Sequence, residues 1–236
     1  MSETGPSFAQ RRAAVRLASL LARASVVAVA AAALVDAAVP SLAAWQADRA
    51  TRLGVGTSAL VLWSVAAVLF LFWVHRAVSN ARRLGGTLRW GPGTAVVAYV
   101  VPVVSLVLPY YVMKALHTAS DPSALDDVPV FRERADPGYR EGARELVAPP
   151  RWDLAAPILA WWVLFDAVTL SNRFAGAGVV STWWVACPLA CGRLAAGVLC
   201  VLVVRSIDAR QRERCRRLEA APGPLVRTLE RSERAD

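Results

Sequence analysis

The sequence predicts an all-α fold, a polytopic membrane bundle of four transmembrane helices plus a proline-bounded re-entrant or interfacial helical hairpin. Three observations carry that reading. Apolar residues make up 56% of the 236, and mean hydropathy is +0.41. These residues come in long blocks rather than at the short periods of a half-buried strand or surface helix, which marks a membrane chain. Basic residues flank the blocks, where they orient a chain in a bilayer.

Crossing a hydrocarbon core of about 30 Å takes about 20 helical residues. Four blocks meet that length, near residues 17–39, 55–74, 154–170 and 181–204. A fifth, "TAVVAYVVPVVSLVLPYYVM" at 94–113, carries Pro102 and Pro109. Each proline removes a backbone donor, so the block divides into halves of about eight residues, each reaching about 12 Å.

Charge decides how that block runs. If it enters and leaves on one face, the chain has four crossings. The N-terminus, the Arg76–Arg89 loop, the Lys114–Arg151 loop and the tail then share a side with 22 Lys/Arg, against Arg49, Arg52 and Arg173 opposite. Five crossings starting inside would export a tail with nine arginines, and five starting outside would export Arg11, Arg12 and Arg16. Only four crossings satisfy the positive-inside bias throughout. The expected organisation is a basic cytoplasmic N-terminus at 1–16, a membrane domain at 17–204 with the hairpin at 94–113 and a flexible cytoplasmic loop at 121–151, and a basic cytoplasmic tail at 205–236. Both termini are expected inside.

Net charge is +9. In a soluble chain this would suggest nucleic acid. Here the cations border apolar blocks, so the expected partners are the bilayer with anionic lipid headgroups and a second copy or a membrane-protein partner, with no nucleic acid. Lys114 is the one lysine among 27 basic residues, a bias that points to a GC-rich bacterial genome and a multi-pass protein of the bacterial plasma (inner) membrane. Arg11, Arg12 and Arg16, an apolar core at 24–35 and "SLAA" resemble a signal peptide. Arg23 and Asp36 fit an h-region poorly, so the segment is read as a retained span.

Nothing in the sequence assembles a catalytic site. His75 and His117 have no matching nucleophile, and no phosphate-binding loop of the Walker or GxGxxG type occurs. Cys187 and Cys191 lie four apart on one helical face, with Cys200 deeper and Cys215 in the tail; no second pair completes a zinc set, and packing in a membrane helix is the reading. The expectation is a chain that is not an enzyme and takes no cofactor or metal.

Charges inside spans are costly and mark functional candidates. Arg23 and Asp36 lie close enough to the ends of their span to snorkel. Asp166 and Arg193 lie deeper, on the third and fourth spans, and differ in depth by roughly 9 Å, which an arginine stem largely covers. They form a candidate intramembrane ion pair; an ion pathway is the sharper alternative. Trp161, Trp162, Trp183, Trp184, Tyr110 and Tyr111 read as headgroup-level rings. From Tyr110 onward, Tyr110, Lys114 and His117 face one side of a helix and Val112, Ala115, Leu116 and Ala119 the other, until "SDP" stops it. That pattern suits a helix lying in the inner interface or a simple helical extension. The tail should continue the last span as a basic helix, with Glu213 and Arg217 at the i,i+4 spacing of an ion pair. A short helix near 139–146 is expected in the central loop.

The stretch "WVHRAVSNARRLGGTLRWGP" at 73–92 closes the second span. Arg76, Asn80 and Arg83 share a helical face, and Gly85-Gly86 can end the helix in the left-handed conformation. The three are candidate contacts to lipid phosphates or to the hairpin bounded by Pro102, Pro109 and Tyr110, with Asn80 expected to bond backbone freed by a proline.

Trp73, Arg76, Asn80, Leu84 and Gly85, then Pro92, then "PVVSLVLPYYVMKAL", then "SDP" at 120–122, and finally Trp161-Trp162 with Asn172, resemble the bacterial membrane family known as domain of unknown function 4328. The likeness covers about 60–205. It implies an integral membrane protein with no assigned activity. Family members commonly carry Asn where this chain has Ser105 and Arg where it has Leu108, which would weaken any polar site built there. The expected function is a non-enzymatic membrane or partner-interaction module; the alternative is a small transporter or channel-like protein using the broken hairpin and Asp166.

Overall fold

The computed structural model describes residues 8–44, 49–101, 104–125, 155–175 and 183–220. Among these it is helical throughout, with no strand. The helices are α1 Phe8–Ala44, α2 Arg49–Arg83, α3 Pro92–Val100, α4 Leu108–Ala119, α5 Ala155–Ala175 and α6 Trp183–Ala220, with 3-10 turns at Val104–Leu106 and Pro122–Leu125. Three described stretches are long and apolar enough to cross a membrane: Ala9–Val35, Thr57–Arg83 and Ala190–Ala220. The fourth expected span corresponds to α5, whose apolar described stretch is the shorter Ala156–Ala167.

The helices outrun the spans that hydropathy marks. α1 begins at residue 8 rather than 17, α2 ends at 83 rather than 74, and α6 continues to 220 rather than 204. The 38 residues of α6 reach about 57 Å, well beyond a hydrocarbon core of about 30 Å. Hydropathy registers the lipid-facing part, whereas the backbone ladder persists through polar turns wherever a buried stripe continues. The four spans read from hydropathy thus locate the helices but not their ends.

Alanine lets the long helices close on each other. Ala18, Ala22, Ala32 and Ala33 of α1, and Ala59, Ala66, Ala77 and Ala81 of α2, are buried. Small side chains allow backbones to approach, which drives association when lipid and interior are equally apolar. At Gly197 of α6 an added Cβ would lie 2.9 Å from Ala33 Cβ, so glycine sets the α1–α6 approach. The core joins Trp73, Met113, Leu116, Ile158, Val204 and Ile207, all fully buried. Phe70 lies 5.5 Å from Tyr99 and 6.1 Å from Trp161 between ring centroids, tying α2 to α3 and α5. The outward faces are also apolar: Leu20, Val27, Leu60, Phe72, Val100 and Val198 are exposed. An apolar surface of that extent suits lipid rather than water.

Residues 94–113, expected as one broken block, form α3, a 3-10 turn and α4, which runs six residues further because Lys114–Ala119 continues its amphipathic pattern. Proline opens both helices. Pro92 lies in the first turn of α3 and Pro109 in that of α4, where the missing N–H costs nothing. Pro102, the other expected breaker, lies outside the described residues. Trp161 and Trp162, expected at headgroup level, are buried in the core. Trp162 Nε1 donates to the Leu106 carbonyl at 3.1 Å, supplying a partner to backbone at the α3–α4 turn. The loop expected at 121–151 is described only through Leu125, so its short helix at 139–146 lies outside the described residues, as do the side chains of Asp36, Cys187, Trp183 and Trp184.

Candidate functional site

One end of the bundle is polar, and it is built by the last turns of α6. A buried stripe descends this helix through Cys200, Val204, Ile207, Gln211, Arg214 and Leu218, alternating steps of four and three so that every member keeps one face. The stripe turns from apolar to polar at Gln211, where a backbone carbonyl of α2 and the Ser120 hydroxyl come within reach.

Arg214 meets two of those ends. Its Nε donates to the Leu84 carbonyl at 2.9 Å and its Nη2 to Gly85 at 3.2 Å, at the end of α2. Its Nη1 donates to Ala119 at 3.1 Å and Asp121 at 2.9 Å, at the end of α4. The last carbonyls of a helix lack intrahelical partners and carry the negative end of the macrodipole. A guanidinium with five donors in a fixed fork suits two such ends at once. Gln211 Nε2 adds bonds to the Ala77 carbonyl at 2.8 Å and Ser120 Oγ at 3.2 Å.

The close approach of α2 and α4 depends on two glycines. Gly85 has φ 74, and the bonds Gly86 N–H to Ala81 carbonyl at 2.8 Å and Gly85 N–H to Arg82 carbonyl at 3.0 Å complete a Schellman ending. This is the left-handed stop expected at Gly85-Gly86. A Cβ on Gly86 would fall 2.7 Å from the Ala119 carbonyl oxygen and 2.8 Å from that of Ala81, so only glycine lets the two helix ends meet.

Ion pairs surround this junction. Arg210 Nη1 approaches Asp121 Oδ2 at 3.4 Å. Glu213 pairs with Arg216 at 3.0 Å and with Arg217 at 3.1 Å, the latter at the expected i,i+4 spacing. Ser19 Oγ donates to Asp208 Oδ1 at 2.7 Å, while Asp208 Oδ2 lies 3.0 Å from Arg212. Arg12 Nε lies 2.7 Å from Glu219 Oε1. These contacts bring the start of α1, the ends of α2 and α4, and the end of α6 to one end of the bundle. Burial pushes the Asp121 carboxyl up. The backbone N–H and hydroxyl of Ser123, with the charges of Arg210 and His117, outweigh it and hold the group below its ordinary value.

A cavity of about 940 Å³ opens beside the junction. Arg11, Arg89, Lys114 and Arg214 line it together with Trp90, Tyr111 and aliphatic side chains, and among the described residues no carboxylate does. The Arg89 guanidinium lies 5.5 Å from the Trp90 ring centroid, and Lys114 Nζ 6.0 Å from that of Tyr110.

The residues singled out from sequence fare differently. Asn80 is fully buried, but its Nδ2 donates to the Ala14 carbonyl of α1 at 3.2 Å and not to the hairpin backbone. The expected role is corrected: the Asn80 face of α2 is covered by α1, and the carbonyls at the end of the hairpin are taken by Arg214. Arg76 is half-buried and Arg83 exposed. Pro109 is buried and Tyr110 half-buried. Asp166 and Arg193 are both half-buried on α5 and α6, which pack together. Among the described residues, no group of three or more His, Cys, Asp or Glu is placed to hold a metal ion. The cysteines Cys191, Cys200 and Cys215 are free thiols.

The sequence reading missed Arg214 and Gln211. A signal was present, since the apolar stripe of the last span continues in phase through both.

No curated protein and no solved structure matches the chain. A family model does, over residues 36–212, from within α1 to the turn of α6 that carries Gln211. The match covers most of the chain, including the α2–α3 turn, the short helix pair and all of α5, and on it the chain belongs to the family described as Domain of unknown function (DUF4328).

Proposed function

We propose that the chain is a multi-pass plasma-membrane protein with four crossings and both termini in the cytoplasm, in which residues 94–113 enter and leave on the cytoplasmic face. It acts as a non-enzymatic module, presenting a rigid basic end to anionic lipid headgroups and to a membrane-protein partner or second copy. The observation that carries this reading is the hold of Arg214 on the ends of α2 and α4. That hold gathers the Arg76–Arg89 turn, Lys114 and the tail helix together, and Arg12–Glu219 adds the N-terminal arginines. Positive residues so concentrated favour the cytoplasmic side.

In-cell crosslinking from residues of the tail, followed by purification of the full chain, tests the module. A discrete partner or a dimer captured from the tail, and lost with Arg214→Met, is expected. A protein that captures neither and instead supports solute or ion flux in proteoliposomes would overturn the module reading. The transport alternative is supported by Asp166, half-buried on α5 beside α4, and it requires that Asp166→Asn abolish such flux. The Asp166–Arg193 pair is proposed as a lock between α5 and α6.

A further inference from the structure

We propose that the cavity between the Gly85–Trp90 turn, α4 and α6 is a binding site for one anionic phospholipid, its phosphate held by Arg89 and Lys114 in the field of Arg214. The inference rests on the membrane reading above.

Three observations converge on that ligand. Among the described residues the lining brings Arg89, Lys114 and Arg214 together and holds no carboxylate, a charge balance that an anion complements. Arg214 is buried, and backbone carbonyls rather than a carboxylate take four of its five N–H groups. These bonds hold its guanidinium at a fixed position in the cavity wall, with the Asp121 carboxylate acting on it from beside the junction. Arg89 and Lys114 are exposed and lie against aromatic rings, a placement that leaves their N–H groups available to phosphate oxygens.

The remaining wall selects an amphiphile over a soluble anion. Leu84, Leu108, Ala115, Leu125 and Leu218 also line the cavity, more apolar surface than phosphate alone would cover, and about 940 Å³ accommodates a headgroup with the first part of its acyl chains. Trp90 and Tyr111 line it as well, and rings with one apolar and one polar edge favour headgroup level. The position fits too. The cavity lies where the outward apolar surface of the bundle gives way to its basic end.

The test is native mass spectrometry of the intact chain released from membranes of phosphatidylcholine and phosphatidylglycerol. One phosphatidylglycerol per chain should survive release, with phosphatidylcholine absent. Arg89→Gln with Lys114→Gln should weaken retention roughly thirtyfold, one cation's attraction counting about fivefold. Arg83→Gln with Arg205→Gln, which removes two exposed cations outside the lining, should leave it unchanged. Ala115→Phe fills the apolar wall without altering charge and should also expel the lipid, while an unchanged melting temperature verifies that each variant is folded. Equal loss in the control pair would assign retention to general surface charge and overturn the site. Glycerol 3-phosphate bound as tightly as the lipid would overturn the lipid assignment. Failure of the membrane reading is distinguishable, because the chain would then be extracted by alkaline carbonate.

Discussion

The Arg214 Nε donates to the Leu84 carbonyl at 2.9 Å, across 130 residues of chain. The same guanidinium reaches Ala119 and Asp121, so one side chain fastens the C-terminal helix to the ends of two others.

Arg214→Lys should therefore not be conservative. A single ammonium cannot span four carbonyls, and those left buried without a donor lose their partners. A cost of about 3 kcal/mol is expected. Thermal unfolding in detergent should report it, together with earlier proteolysis beyond residue 205; Arg216→Lys, exposed on the same helix, should leave both unaltered.

Substitutions at the paired glycines should rank in a fixed order. Gly85→Ala places Cβ on a left-handed residue, at about 1 kcal/mol. Gly86→Ala forces Cβ against the Ala119 carbonyl oxygen 2.7 Å away, and α4 must move, at about 3 kcal/mol. Melting temperatures of the two variants give the order.

Asn80→Leu should loosen α1 rather than the hairpin, because the amide bonds Ala14. A loss of about 1 kcal/mol is expected. Hydrogen exchange should quicken near residues 14–18 while residues 95–100 hold their protection.

Acid should weaken the α4–α6 junction through Asp121. Its carboxyl is held below the ordinary value by Ser123, Arg210 and His117 against the opposing effect of burial. In the acid range the unfolded chain then binds more protons than the folded one, so the contribution is present above the unfolded pKa and lost as pH falls through the folded value. Asp121→Asn should lower stability at neutral pH and flatten the acid limb of a melting-temperature profile.

Much of this architecture was legible in the sequence. Long uncharged runs located the helices, Gly85-Gly86 announced the end of α2, and Glu213–Arg217 followed from spacing. The missed features share a physical origin. Among Arg205, Arg210, Arg212, Arg214, Arg216 and Arg217, composition distinguishes none; only phase along the helix singles out Arg214, which keeps the face of Val204 and Ile207. Asn80 was misassigned because its own helix gives no sign of which neighbour covers it. Trp161 and Trp162 were read by residue type, which gives no sign that they pack against Phe70 and bond the Leu106 carbonyl.

In the proposed topology the short helix pair returns to the side it left, so that every basic segment shares one face of the membrane. A paired set of topology reporters fused at the N-terminus, at Asp126 and after the tail tests it most directly. All three should read cytoplasmic. A reporter at Asp126 that reads external, with the N-terminal fusion inside, would contradict the account.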